Sequence, residues 1–143
     1  MKTLSVYIHI PFCVQKCNYC DFLSAPAAKP ARKQYLEALK KEIMQESLQY
    51  VEYSVQSVFF GGGTPSILDG EEIGDCMKVL RDHFRISSTA EITMEMNPGT
   101  ASLEKLTVLK QAGINRLSIG LQSTDDAQLK MLGRIHTLSL IHI

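Results

Sequence analysis

Two periodicities take turns along this chain. From Lys2 to Ile10 the apolar residues Val6, Ile8 and Ile10 recur at every second position, with Tyr7 and His9 between them, the period of a strand with one buried face. From Arg32 to Val51, Leu36, Leu39, Ile43 and Tyr50 fall near helical spacing, and Glu37 faces Lys41 as an i, i+4 ion pair. The stretch between them, Ala25 to Ala31 with Pro26 and Pro30, fits neither period and is expected to be a connector. Val55 to Phe60 is rich in β-branched and aromatic residues, predicts a second strand and runs into Gly61-Gly62-Gly63-Thr64-Pro65-Ser66. Asp69 is a helix cap, with Glu71 and Glu72 in the first turn and Ile73, Met77 and Leu80 as the apolar stripe of a second helix. Ala90 to Met96 predicts a third strand, stopped by Asn97-Pro98-Gly99. A helix from Ser102 to Gln111 follows, with Gly113 as its stop, then a fourth strand from Arg116 to Leu121. Thr124 or Asp125 opens a last helix through Leu132.

Strands that alternate with helix-length segments call for parallel pairing through right-handed crossovers. An eight-fold barrel needs ~250 residues. These 143 residues hold four βα units, so the expected fold is α/β, either a small open sheet or the first half of a larger barrel. In such folds the chemistry lies at the C-terminal ends of the strands. That edge carries the loop after Ile10, the glycine run after Phe60, Asn97-Pro98-Gly99, and Gln122-Ser123. On the third strand Thr93, Glu95 and Asn97 share one face, opposite Ile92, Met94 and Met96; on the fourth, Ser118, Gly120 and Gln122 share one face. A carboxylate such as Glu95 facing a lumen is costly without a partner, which makes it a site candidate.

Composition removes several function classes. Fifteen basic residues balance fifteen acidic ones, so the chain has no electrostatic footprint for nucleic acid or an anionic membrane. No run approaches the ~20 apolar residues of a membrane helix. Lys2, the apolar run after it and Ser24-Ala25-Pro26-Ala27-Ala28 imitate a secretory leader, but His9, Gln15, Lys16, Asn18 and Asp21 interrupt its core. A cytoplasmic location is expected, and in a reducing compartment clustered cysteines serve as ligands more often than as disulfides.

The cluster is Cys13, Cys17 and Cys20, spaced C-x3-C-x2-C directly after the first strand. A structural zinc site takes four ligands, usually from two separated pairs. Here the fourth cysteine, Cys76, lies far away in the second helix, where a small core residue is expected. A cubane iron–sulfur cluster also takes four cysteines as a rule; three would leave one iron open to a small molecule. The glycine run lacks the Gly-Lys-Ser/Thr of a phosphate loop and the third glycine of a dinucleotide fingerprint. It does allow a ligand to approach bare backbone. A lone His on a strand, such as His9, is usually structural, and Met44, Met77, Met94 and Met96 fall on core periodicity.

At this point the chain resembles the radical S-adenosylmethionine superfamily. The resemblance rests on C-x3-C-x2-C with Tyr19 before the last cysteine, and on the ordered strings Tyr7-Ile8-His9-Ile10-Pro11-Phe12-Cys13, Gly61-Gly62-Gly63-Thr64-Pro65, Glu95-Met96-Asn97-Pro98-Gly99, Gly120-Leu121-Gln122-Ser123 and Leu132-Gly133-Arg134-Ile135-His136. Within it the chain is similar to the oxygen-independent coproporphyrinogen III oxidase group, and in that group to the HemW-type haem chaperones. The resemblance implies the N-terminal part of a partial (β/α) barrel. It implies a 4Fe-4S cluster on Cys13, Cys17 and Cys20, with S-adenosyl-L-methionine on the open iron. Tyr19 would pack near the adenine, Gly62, Gly63 and Thr64 would line the methionine end, Glu95 and Arg134 would engage its charged groups, Gln122 the ribose, and Tyr7 would stand close by. It further implies haem as cargo, a haem-requiring acceptor protein and an electron donor.

The oxidases resemble C-x3-C-x2-C-x-C, whereas Phe22 occupies the last position here; they also carry a longer segment before the first strand. Both departures favour the chaperone branch. Oxidative decarboxylation of porphyrinogen propionates to vinyls through a 5′-deoxyadenosyl radical is the alternative, which leaves enzymatic activity open, and a structural zinc module is the remote one. After Thr137 the resemblance stops. Leu138-Ser139-Leu140-Ile141-His142-Ile143 reads like translated sequencing adapter, so residues 1–137 are expected to be a truncated barrel domain and 138–143 a non-native tail.

Overall fold

A computed structural model of the chain describes residues 2–142. Its strands are β1 (Lys2–Ile10), β2 (Tyr53–Gly62), β3 (Ile86–Met96) and β4 (Arg116–Ile119), and its helices α1 (Lys29–Ser47), α2 (Gly70–His83), α3 (Leu103–Ala112) and α4 (Asp126–Met131). The strands form one sheet in the order β1-β2-β3-β4, parallel throughout. Among the described residues no helix is long and apolar enough to cross a membrane.

Register places the residues that matter. Ile8 pairs with Phe60, Phe60 with Met94 and Met94 with Leu117, giving an apolar row across the sheet. Leu36, Leu39 and Ile43 of α1, Ile73, Met77 and Leu80 of α2 and Leu109 of α3 pack on that face in one core. One residue along, His9 pairs with Gly61 and Glu95 with Ser118, so the polar row lies on the other face. A register shift between Val55 and Ser57 adds one residue, Gln56, to β2 relative to β1. That bulge lets Val55 and Val58 both be fully buried although strict alternation would separate them.

The ends of the helices follow local chemistry. Glu72 accepts from the Asp69 backbone N–H at 2.8 Å, closing the first turn of α2. Gly113, at φ +97°, ends α3 with its N–H on Lys110 and that of Ile114 on Leu109, the paired bonds of a Schellman turn. Helix α1 starts at Lys29 rather than Arg32, because Pro30 occupies the first turn, where a missing N–H costs nothing. It ends at Ser47, short of Val51, and Tyr50 falls in the turn beyond. Glu37 pairs with Lys40 at 2.7 Å, three residues on, instead of Lys41. Ser102 lies outside α3 as its cap, accepting from the Lys105 N–H. β2 and β3 run longer than their apolar centres, and β4 stops at Ile119 where the chain turns. Cys76 is buried in the core, which pushes its thiol up to about 11. Met77, Met94 and Met96 are core residues; Met44 is 39% exposed and is not.

The contrast between two methionines on helices tests the placement of the core. Met77→Ala should lower stability by about 2–5 kcal/mol, read as a fall in the urea midpoint at unchanged m-value. Met44→Ala should stay within about 0.5 kcal/mol of the parent.

Candidate functional site

The loop after β1 is closed at its base by a short parallel bridge between Phe12 and Ala25. The Cys13 N–H donates to the Ala25 carbonyl at 3.2 Å, and the Ala25 N–H to the Pro11 carbonyl at 3.0 Å. His9 reaches up from the strand so that its Nε2 lies 3.0 Å from the Leu23 carbonyl. The far side of the loop is tied to the end of α4. The Asn18 N–H donates to the Leu132 carbonyl at 3.0 Å, its Nδ2 to the Met131 carbonyl at 2.9 Å, and Gln15 Nε2 to the Gly133 carbonyl at 3.3 Å. Gly133, at φ +75°, makes these carbonyls available by ending α4 in a second Schellman turn.

The glycine run passes directly beneath this loop. The Gly63 N–H donates to the Ile10 carbonyl at 2.8 Å and the Thr64 N–H to the Phe12 carbonyl at 2.7 Å. A Cβ on Gly63 would stand 2.5 Å from the Phe12 carbonyl oxygen, a contact only backbone movement could relieve. Gly62 holds φ +111°, and a Cβ there would meet the His9 ring at 2.6 Å. The Gly62 N–H donates to Glu95 Oε2 at 3.2 Å, which supplies that carboxylate with a fixed partner.

Together these elements enclose a cavity of about 330 Å³. Its wall includes Cys13, Cys17 and Cys20, then Tyr19, Gly62, Gly63 and Thr64, then Glu95, Gln122 and Arg134. Tyr7 is the one expected site residue that does not line it. It lies 57% exposed on the same sheet face, with its hydroxyl 3.2 Å from His9 Nδ1 and its ring stacked on Phe59. Asn97, Phe22, Gln15, Met96, Ser118 and Gly120 line the cavity although none was picked out as a site residue. The strand alternation that selects Glu95 selects Asn97 and Ser118 equally. Asn97 also reads as a strand stop before Pro98, and that local meaning hides the other.

The wall carries one anion, Glu95, and one cation, Arg134. Arg134 Nη2 donates to Asn97 Oδ1 and to the Gly120 carbonyl, both at 2.9 Å, while Nη1 faces Cys17 Sγ at 3.6 Å and the Tyr19 hydroxyl at 3.5 Å. Its Nε is buried without a protein partner. The phenol of Tyr19 is raised above its ordinary value, chiefly by burial and secondarily by Cys17, against the opposing pull of Arg134, so it stays protonated at neutral pH. Gln122 holds φ +70°, a strained backbone for a side-chain-bearing residue and one often kept at ligand sites.

Cys13 is buried and accepts from Thr64 Oγ1 at 3.5 Å; Cys17 and Cys20 are half-buried, and all three are free thiols. Among the described residues no three His, Cys, Asp or Glu side chains are gathered as for a metal ion. The three thiols line one cavity wall, with the bare backbone of Gly62 and Gly63 beside them.

The family model of the Radical SAM superfamily matches residues 7–141. The heme chaperone HemW of Escherichia coli is 42% identical over 137 residues, covering 95% of this chain and 36% of its own length. HemW of Bacillus subtilis is 39% identical over 133 residues, covering 92% of this chain and 35% of its own. Among solved structures, the coproporphyrinogen III oxidase HemN of Escherichia coli, described as a Radical SAM enzyme, superposes with a TM-score of 0.90 at 33% identity, over 98% of this chain and 32% of its own. The chain thus spans about a third of the length of the relatives it matches.

The Gly63–Phe12 contact gives the sharpest test of this geometry. Gly63→Ala should cost about 1–3 kcal/mol, the range for an extra methyl forced into a packed site. Amide exchange at Cys13 and Thr64 should accelerate more than at Met94 in the sheet. Equal acceleration at all three would mean that the loop is not held from below.

Proposed function

The chain belongs to the radical SAM superfamily, and from that premise we propose that it forms the cluster-bearing part of a haem chaperone, a protein that binds haem and hands it to a haem-requiring protein. The carrying observation is the 42% identity to a heme chaperone across nearly the whole chain. Phe22 supports it: it occupies the position at which the oxidases resemble a further cysteine, and it lies 67% exposed at the cavity rim. The second reading, coproporphyrinogen oxidation, is favoured by the superposition on HemN.

Cys13, Cys17 and Cys20 would hold a 4Fe-4S cluster, and the cavity beside them would take S-adenosyl-L-methionine. When bound, the pair supplies one-electron reductive chemistry at a sulfonium, the cofactor's own chemistry. The residues of this chain bind and orient. Glu95 and Arg134 offer opposite charges to the ammonium and carboxylate of an amino-acid moiety, and Gly62 and Gly63 let it lie against bare backbone. Gln122 would take the ribose, and the Tyr19 ring, its phenol held protonated, would pack near the adenine. Tyr7 would stand close by, its hydroxyl 3.2 Å from His9, whose other ring nitrogen meets the Leu23 carbonyl of the loop. An electron donor and an acceptor for the haem complete the set of partners.

Two measurements test this in the full-length protein. Anaerobic reconstitution with iron and sulfide should give the broad visible absorbance of an iron–sulfur cluster, lost in each of Cys13→Ala, Cys17→Ala and Cys20→Ala and kept in Cys76→Ala. Haem titration should then show stoichiometric binding, while coproporphyrinogen under reducing conditions should yield no vinyl product. Robust decarboxylation would exchange the two readings.

A further inference from the structure

The polar side chains around the cysteines form one continuous chain of hydrogen bonds, with Asn97 at its centre. Asn97 Nδ2 donates to Thr64 Oγ1 at 3.2 Å, and Thr64 Oγ1 donates to Cys13 Sγ at 3.5 Å. On its other side Asn97 Oδ1 accepts from Arg134 Nη2 at 2.9 Å, and Arg134 Nη1 faces Cys17 Sγ at 3.6 Å. The backbone of Asn97 is pinned as well. Its N–H donates to Ser66 Oγ at 3.2 Å, and Ser66, fully buried, shares a second hydrogen bond with Thr100 Oγ1 at 2.6 Å. One carboxamide therefore reaches two cysteine sulfurs in opposite directions without touching either.

The polarity of the amide gives this arrangement its meaning. A hydroxyl carries one hydrogen and two lone pairs. With the Asn97 NH₂ seated on a lone pair of Thr64, the single hydroxyl hydrogen is left for the sulfur. Thr64 is buried, 5% exposed, so water competes little for that hydrogen. Flipping the amide would set its NH₂ against the guanidinium, two donors face to face; Arg134 thereby fixes which end of Asn97 points at Thr64. We infer that Asn97 is a positioning residue for the cysteine ligands: it aims the Thr64 hydroxyl at Cys13 and holds Arg134 against Cys17. The inference rests on the reading that these cysteines carry a cluster. Hydrogen bonds to ligand sulfurs are among the factors that set a cluster's reduction potential. Donors favour the more negatively charged reduced state, so Asn97 raises the potential from one layer away.

The test is a double-mutant cycle read as reduction potential in the reconstituted full-length protein, without S-adenosylmethionine. Asn97→Asp keeps the shape but removes the donor, so the Thr64 hydroxyl turns to the new carboxylate and away from Cys13. Thr64→Val removes the hydroxyl outright. Each single variant should shift the potential to more negative values, and the double variant should lie no lower than Asn97→Asp alone, because the same hydrogen bond is lost in both. An unchanged potential in Asn97→Asp, or fully additive shifts, would overturn the inference. If Asn97→Asp takes up no iron, Asn97→Ala replaces it in the same cycle under the same criterion. A parent protein that takes up no cluster overturns the ligand assignment and this inference together; normal uptake in the parent with uncoupled variants overturns this inference alone.

Discussion

Everything at the functional edge depends on one close approach, the backbone of Gly63 passing under the backbone of Phe12. Parallel strands β1 and β2 deliver their following loops to the same edge, and the two loops then meet through hydrogen bonds from Gly63 to Ile10 and from Thr64 to Phe12. Each such bond is worth only about 1 kcal/mol net. Their effect is geometric: they fix the height of Cys13 over the sheet and bring Thr64 within reach of its sulfur. Gly63 follows from that approach, since a side chain there would collide with the Phe12 carbonyl, and Gly62 is required beside it by the His9 ring.

The cavity these loops enclose is electrically balanced and mostly neutral. Glu95 is held by the Gly62 N–H, and Arg134 is spread over a side-chain amide, a backbone carbonyl and a sulfur. Neither charge is spent on the other, as no ion pair joins them among the described residues. Both charges are thereby left facing the cavity without an opposite charge beside them among the described residues.

Much of the fold was legible because strand and helix periods differ so clearly here. Val6, Ile8 and Ile10 against Ile73, Met77 and Leu80 leave little room for confusion, and the parallel order follows from the alternation. The misread boundaries have local causes. Pro30 looks like a breaker but sits where a helix tolerates it, and the spacing of Glu37 allows a partner three or four residues on with nothing in sequence to choose between them. Met44 lies on the edge of the α1 stripe, where a small rotation decides exposure. Around the cavity, motif spacing picked lining residues whose types are chemically loud: thiols, glycines, a lone carboxylate. Asn97 is quiet. Its importance comes from three partners, Thr64 and Ser66 in one loop and Arg134 in another, and such convergence has no signature along the chain. Tyr7 is the reverse case: alternation puts it on the polar face, but it does not line the cavity and its hydroxyl meets His9 instead.

The clasp between the cysteine loop and the end of α4 reaches into the order of synthesis. Gln15 and Asn18 are held by carbonyls of Gly133, Leu132 and Met131, up to 118 residues further along. Contacts of that separation form late, after loop closure over the intervening chain. On a ribosome the three thiols emerge early, while the turn that braces them does not exist until Gly133 has been made and released from the exit tunnel. The loop therefore stays unbraced on its far side until Gly133, 118 residues after Gln15, has followed it out.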